Sequence, residues 1–229
     1  MSTAAFRAVD PAEVARLADA LERAPAADIV RWAVDTFGSR VCLTASMTDA
    51  VLIDVATRVD PAIDVVFIDT GFHFSETLAT AERVRRRYGL NLRIVPVVKP
   101  PVPFHVANPV ECCSVAKAEA LDRALEGKLA WMSGVRRAEA PTRAAAPVVA
   151  LDHRGLVKVN PLATWTDDDV AAYVAAHDVP VNPLVDQGYL SIGCWPCTRP
   201  AATAAEPRSG RWDGVKMECG LHLEPQNIT

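Results

Sequence analysis

Five of the six cysteines fall into three groups whose spacing could support chemistry. Cys112 and Cys113 are adjacent in NPVECCSVAKAEAL, Cys194 and Cys197 form a CxxC motif in GCWPCTRP, and Cys219 lies near the end in KMECGLH. Four soft thiolates from two pairs suit either tetrahedral zinc or a 4Fe-4S cluster. The sequence therefore predicts a metal centre built from the two pairs.

The CxxC motif alone is also compatible with a redox pair or with inert core thiols. A thioredoxin-like pair would stand early in a βαβ unit, whereas residues 194–197 lie in a late segment rich in Gly and Pro. Neighbouring side chains in a first helical turn diverge by roughly 100°. That divergence suits a cube whose irons each take one thiolate better than it suits a single zinc ion, although zinc stays an alternative.

The third group is the thiol of Cys219 beside Gly220 and His222. A lone thiol on a frayed tail is the ordinary interpretation. Nearby Lys216 and His222 would lower its pKa, which favours a nucleophile. The sixth cysteine, Cys42, stands inside an apolar strand and is predicted to be a core residue.

Basic side chains gather in the predicted loops. Lys117 follows the cysteine pair by one helical turn, and arginines stand in GVRRAEAPTR, CTRP and PRSGRW. Surface arginines are usually only solvated, but loops that follow parallel strands are where ligands bind. Guanidinium forks match phosphate or sulfate, so these residues are candidates for an anion site. The arginines are Arg136, Arg137, Arg143, Arg199, Arg208 and Arg211.

Strand and helix patterns alternate along the chain, which is typical of βαβ units and a parallel sheet. Two amphipathic helices come first, and a proline-rich loop over 96–109 precedes the helix that carries Cys112. The predicted helices are 11–24, 27–37, 50–59, 75–89, 111–126 and 166–178. The predicted strands are 40–45, 63–70, 90–97, 128–134, VVALD and LVKVNP.

Composition limits the class of protein. The chain has 229 residues, is 50% hydrophobic and carries a net charge of -4, which argues against coating a nucleic acid or an anionic membrane. The sequence shows neither an apolar leader nor a membrane-length apolar run, so a cytoplasmic protein is expected. We expect a helical lead-in over 1–38, an α/β domain over 39–190, and a cysteine- and arginine-rich segment with a catalytic tail over 191–229.

The motifs together resemble a known family. ECC…K, GVRR…PTR, NPL…GYLSIGCWPC, PRSGRW and the terminal ECGLH occur in the order found in bacterial assimilatory adenosine 5'-phosphosulfate (APS) reductases, relatives of the PAPS reductases. VVFIDTGFHFSET is similar to the family's second strand and its loop. The resemblance covers about residues 40 to 222.

The resemblance implies a Rossmann-like fold of the adenine nucleotide alpha hydrolase (PP-loop) type and assigns roles to single residues. Ser46 to Asp49 would lie near the phosphosulfate, and Ile68 to Gly71 with Gly134 would line the adenosine. The anionic end of the substrate would meet Lys117, Arg143, Arg208, Arg211 and His222. The 4Fe-4S ligands would be Cys112, Cys113, Cys194 and Cys197, with Cys219 as the nucleophile.

The implied activity is thioredoxin-dependent reduction of APS to sulfite and AMP through an S-sulfocysteine on Cys219. Homo-oligomer formation is suggested by the resemblance only. One alternative is a PAPS reductase of the same chemistry. Another is a PP-loop sulfurtransferase of the tRNA thiolation type, although the loop TASMTD lacks a glycine-rich motif. A zinc-stabilised binding module is the non-enzymatic alternative.

Overall fold

A six-stranded sheet in the order β3-β2-β1-β4-β6-β5 organises the fold. The computed structural model describes residues 10–98, 115–203, 206–214 and 218. The strands are β1 (Val41–Ala45), β2 (Asp64–Asp69), β3 (Asn91–Pro96), β4 (Ala130–Ser133), β5 (Val149–Leu151) and β6 (Val157–Val159). The helices are α1 (Pro11–Leu21), α2 (Ala26–Phe37), α3 (Val51–Val59), α4 (Ser75–Tyr88), α5 (Lys117–Ala124) and α6 (Asp167–His177).

Neighbouring strands pair in parallel except for β5 and β6, which are antiparallel. The exception follows from chain length, because the short turn between β5 and β6 cannot make the long crossover that parallel pairing needs. Asp152 closes this turn by accepting hydrogen bonds from the backbone N–H groups of Arg154 and Leu156, at 2.9 and 3.0 Å. The predicted α/β fold with a mostly parallel sheet is confirmed.

The central strands are apolar on both faces because helices cover both sides of the sheet. In β2, Val65 and Phe67 belong to the core cluster beneath α2 and α3, whereas Val66 and Ile68 belong to the cluster beneath α5. This alternation is the two-residue repeat of an extended strand. Burial on both sides explains why the strand sequences read as continuous apolar runs.

The chain reverses direction across the sheet after β3. Strands β1 to β3 extend the sheet to one side, and β4 then pairs with the opposite edge of β1. In open α/β sheets, such a switch leaves a crevice outside the carboxyl ends of the two strands. The fold thus opens a site where the loops after β1 and β4 leave the sheet.

Predicted and observed element bounds differ mainly at the ends. The first helix ends at Leu21 rather than 24, because Pro25 is already the N-cap of α2 and residues 22–24 form the connection between the two helices. Of the predicted helix over 111–126, the described part is α5 and the turn before it, and residues 111–114 lie outside the described residues. The proline-rich loop is described only up to residue 98. No helix in the described ranges is both long and apolar enough to cross a membrane.

Candidate active site

A cavity of about 590 Å³ opens at the carboxyl ends of β1, β2 and β4. Its volume lies within the range usual for small-molecule and cofactor sites. The chain reversal between β1 and β4 places it where the fold predicts a ligand. Many of the residues singled out in the sequence line this one cavity: Ser46, Asp49, Ile68, Lys117, Gly134, Arg143, Cys194, Arg208 and Arg211.

The loop after β1 is held by a buried asparagine from a distant part of the chain. Met47 is fully buried in a left-handed conformation, with φ 63°. Asn182, 0% exposed, donates from Nδ2 to the carbonyl of Met47 and to Oγ1 of Thr77, both at 3.1 Å. Its backbone N–H also donates to the carbonyl of Thr48 at 2.9 Å. Asn182 therefore fixes the strained turn on the cavity wall.

Asp49 lies at the end of the same loop, two residues before α3 begins. Its carboxylate accepts a hydrogen bond from the backbone N–H of Val51 at 3.0 Å. Burial raises the pKa of Asp49, since desolvation outweighs both that hydrogen bond and the charge of Arg136. Asp49 therefore needs a higher pH than an ordinary aspartate to become ionised.

The loop after β2 packs directly against the CxxC segment. Thr70 Oγ1 lies 3.2 Å from the sulfur of Cys194, and the backbone N–H of Trp195 donates to the carbonyl of Phe72 at 2.8 Å. A 3-10 turn, Trp195–Cys197, brings the N–H of Cys197 to 3.0 Å from the carbonyl of Cys194. The two thiols thus stand on a short, hydrogen-bonded turn beside the cavity.

His73 is the buried side chain between these two segments. Its side chain is 8% exposed, and Nε2 lies 3.0 Å from the carbonyl of Ile68. Burial lowers the pKa of His73, and the positive charge of Lys117 acts in the same direction. The ring is therefore neutral at physiological pH, and its Nε2 also lies 3.3 Å from the backbone N of Thr70.

The segment around Ser191 gathers two arginines. Arg208 Nη1 and Arg211 Nη1 donate to the Ser191 hydroxyl at 3.2 and 3.1 Å. A Cβ at Gly193 would come within 2.2 Å of Nη2 of Arg211, so glycine here leaves room for the guanidinium. Burial lowers the pKa of Arg208 to about 10, with repulsion from Arg143 as the next cause. Arg208 still carries its charge at neutral pH.

Arg143 and Arg208 also bind a carboxylate from the C-terminal region. Arg143 Nη2 lies 2.8 Å and Arg208 Nη2 lies 3.1 Å from Oε2 of Glu218. Burial by itself would raise the pKa of Glu218, but hydrogen bonds and charge from the two arginines outweigh it and lower the pKa. Glu218 is therefore an anion within the arginine group.

The remaining predicted site residues lie elsewhere. Gly71, with φ 65°, follows β2 in a turn where its N–H donates to Asp69 at 2.7 Å, and neither it nor Cys197 lines the cavity. Cys112, Cys113, Cys219 and His222 lie outside the described residues. Within the described ranges, no group of three or more His, Cys, Asp or Glu side chains could hold a metal ion. The described thiols of the predicted ligand set are Cys194 and Cys197, so the roles of all these residues stay predictions.

Sequence reasoning missed His73, Asn182, Ser191 and Glu218. His73, Asn182 and Ser191 stand within the motifs VVFIDTGFHFSET, NPL and GYLSIGCWPC, and Glu218 precedes the cysteine of ECGLH. The sequence carried no signal for a buried role, because asparagine, serine and glutamate are common on protein surfaces. Their burial and partners arise only where distant segments meet.

Comparison with known proteins agrees with this architecture. The profile of the phosphoadenosine phosphosulfate reductase domain matches residues 40–200. The chain belongs to this family. The predicted membership of the APS and PAPS reductase family is thereby confirmed. Members of this family are oxidoreductases that act on sulfur groups.

Two curated relatives show the depth of the likeness. "Adenosine 5'-phosphosulfate reductase" of Rhodococcus opacus is 42% identical over 91% of this chain and 92% of its own. The protein of the same name from Mycolicibacterium smegmatis is 44% identical over 91% of both chains. The match to these two relatives thus covers about nine-tenths of each chain.

Solved structures support the fold. The phosphoadenylyl-sulfate (PAPS) reductase of Candida auris, a phosphate complex, has a TM-score of 0.74 at 28% identity, covering 83% of this chain and 98% of its own. The FMN adenylyltransferase of Candida glabrata has a TM-score of 0.60 at 15% identity, covering 89% and 78%, which shows a shared fold alone. The predicted PP-loop type of fold is confirmed.

Proposed function

We propose that the protein reduces adenosine 5'-phosphosulfate to sulfite and AMP, with thioredoxin as the reductant. The observation that carries the proposal is the group of basic side chains, Lys117, Arg208 and Arg211, on one cavity at the ends of the parallel strands. A phosphosulfate is the anionic end of its nucleotide and needs such a group. The curated relatives named adenosine 5'-phosphosulfate reductase support this choice of substrate.

In the first step, the thiolate of Cys219 attacks the sulfur of the substrate. A sulfur–sulfur bond forms while the sulfur–oxygen bond to the phosphate breaks, and AMP leaves with that electron pair. Attack by an anion on an anionic group is electrostatically resisted, so Lys117, Arg208, Arg211 and His222 must stabilise the charge that develops on the departing phosphate. The product on the enzyme is S-sulfocysteine.

In the second step, a thioredoxin thiolate attacks the sulfur of Cys219 and sulfite departs. The second thiol of thioredoxin then resolves the mixed disulfide and frees Cys219. The dithiol supplies both electrons, which end on sulfite. We place this reaction in the cytoplasm, where thioredoxin keeps protein thiols reduced.

The nucleotide is expected to enter the crevice at the switch between β1 and β4. The loop from Ser46 to Asp49 would face the phosphosulfate, while Ile68 and Gly134 would contact the adenosine. The segment over 191–229 would complete the site, with the α/β unit over 39–190 as its frame and 1–38 as the lead-in. Gly193, Arg208 and Arg211 of the later segment line the same cavity as the ends of β1, β2 and β4, which supports this arrangement.

We propose that Cys112, Cys113, Cys194 and Cys197 hold a 4Fe-4S cluster. The donor set is all thiolate, and the described half stands on a turn against Thr70 at the cavity. When bound, the cluster supplies a fixed, charged support for the loops near Lys117, and no electrons. We expect Cys113→Ser to lose iron and most of its activity; full activity without iron would contradict the proposal.

The test is sulfite release by anaerobically purified protein with thioredoxin. Wild type should turn over APS, and Cys219→Ser should bind nucleotide and keep about four irons per chain but release no sulfite. Sulfite release by Cys219→Ser at the wild-type rate would overturn the role of this thiol. The same assay with PAPS in place of APS tests the alternative substrate. The likeness to the PAPS reductase of Candida auris supports that alternative.

A further inference from the structure

The carboxylate of Glu218 is bound from three sides. Oε1 accepts from Thr142 Oγ1 at 2.7 Å and from Arg143 Nε at 2.9 Å. Oε2 accepts from Arg143 Nη2 at 2.8 Å and from Arg208 Nη2 at 3.1 Å. Glu218 is 5% exposed. A glutamate so placed has a fixed side chain, because two of its four hydrogen bonds come from the bidentate fork of Arg143.

Arg143 donates its hydrogen bonds to two protein carboxylates. Nε and Nη2 bind Glu218, and Nη1 binds Glu139. Its side chain is 12% exposed and is held on the 3-10 turn Pro141–Arg143. Burial would lower the pKa of Arg143, but the two carboxylates raise it. In this arrangement Arg143 binds the chain at residue 218, while Arg208 also reaches Ser191.

We propose that Glu218 is a positioning residue, which anchors the chain beside the nucleophile Cys219 to Thr142, Arg143 and Arg208. The two arginines line the substrate cavity. The inference deepens the proposed function and rests on it. A trans peptide bond spans about 3.8 Å between Cα atoms, so an anchor at one residue restricts where the next can go. Arg143 then acts on the reaction through Glu218.

Anchoring should speed the first step without adding affinity for the nucleotide. Holding a nucleophile near its target removes entropy before the reaction, and a misplacement of about 1 Å can cost about 100-fold in rate. The carboxylate itself touches no reacting atom in this scheme. Its loss should therefore lower kcat and leave nucleotide binding in place.

The experiment is single-turnover AMP release from APS without thioredoxin, paired with the Kd for AMP. We expect Glu218→Gln to slow release by about 10- to 100-fold. The Kd for AMP should stay within about threefold, because the amide keeps the volume and the arginines stay charged. Thr142→Val, which removes a single hydrogen bond from the anchor, should slow release by a smaller factor and guards against misfolding of the first variant.

Glu22→Gln is the matched control. Glu22 forms a bidentate pair with Arg137, with Oε2 at 2.9 Å from Nη2, and neither residue lines the cavity. The same loss of one carboxylate from an arginine fork should leave AMP release within about twofold of wild type. An equal slowing in both variants would show a general loss of stability and overturn the proposal.

A double-mutant cycle separates anchoring from direct substrate binding by Arg143. If Arg143 acts through Glu218, then Arg143→Gln combined with Glu218→Gln should be no slower than the slower single variant. The inference would be overturned if the rate losses of the two single variants multiplied in the double variant, or if Glu218→Gln released AMP at the wild-type rate. The proposed function would stand in either case. If wild type released no AMP from APS, the proposed function and the inference would both fail.

Discussion

The same side-chain type behaves differently at different residues of this protein, as two cysteines show. Cys194 lies beside the cavity with its sulfur 3.2 Å from the Thr70 hydroxyl. Cys42 is 0% exposed between the sheet and α5. Burial raises the pKa of Cys42 to about 12, although Lys128 opposes the shift. The prediction that Cys42 is a core residue is confirmed.

Cys42 should be inert to alkylation in the native protein. A raised pKa keeps the thiol protonated, so the reactive thiolate does not build up as the pH rises through the ordinary thiol value of about 8.5. Iodoacetamide labelling at pH 7 and pH 9, read by peptide mass spectrometry, should leave Cys42 unmodified at both. The control is the urea-unfolded protein, in which Cys42 should label faster at pH 9; equal pH dependence in the native state would contradict the prediction.

At the scale of elements, the site depends on loops that are tied to one another. The loop after β1 is held by Asn182, and the loop after β2 meets the turn Trp195–Cys197 through Thr70 and Phe72. Irregular backbone near a cavity needs such partners, since its polar groups would otherwise be buried without hydrogen bonds. The segment from Asn182 to Cys197 is therefore a scaffold for both strand-end loops.

Removing Asn182 should loosen this scaffold. Asn182→Ala would leave the carbonyl of Met47 and the N–H of Leu184 without their side-chain partner. Each buried polar group left unsatisfied costs about 1–3 kcal/mol. We expect urea denaturation to show a loss of about 2–4 kcal/mol and calorimetry to show about tenfold weaker AMP binding.

The matched control is Asn91→Ala, at an exposed position that opens the edge strand β3. It should change the free energy of unfolding by about 0.5 kcal/mol or less. If Asn182→Ala lost no more stability than Asn91→Ala, Asn182 would not be what holds the loop after β1.

At the scale of the whole molecule, one ligand site joins elements from much of the chain. The cavity is bounded by the ends of β1, β2 and β4, by α5 and α6, and by the segment around Arg208. A ligand that binds only the folded state stabilises it by mass action. Nucleotide binding should therefore stabilise the molecule as a unit.

AMP should raise the melting temperature. At about 100 times its Kd, a ligand adds about 2.7 kcal/mol of stability, which for a chain of this size corresponds to roughly 5–10 °C. At the same ligand concentration, differential scanning fluorimetry should show this shift for AMP and a smaller one for adenosine, which lacks the phosphate for the basic group. Equal shifts for adenosine and AMP would contradict the assignment of the basic residues to the phosphate.

The sequence alone determined the alternation of strands and helices, because apolar periodicity reports local structure and double-sided burial. It also indicated the family, since the spacing of ECC, GCWPC and ECGLH is itself the signature. Element ends were less predictable: β4 begins at Ala130 rather than 128, because the pairing with β1 and β6 decides where a strand starts.

Only the tertiary structure decided which residues meet. It brought Lys117, Arg143 and Arg208 to one cavity, although they lie far apart in the sequence. Burial then made Glu218 a partner of two arginines rather than a surface acid, and made Asn182 the support of a loop distant in the chain. Such pairings depend on the order of strands in the sheet and on the desolvation of side chains. Neither can be predicted from the local pattern of residues.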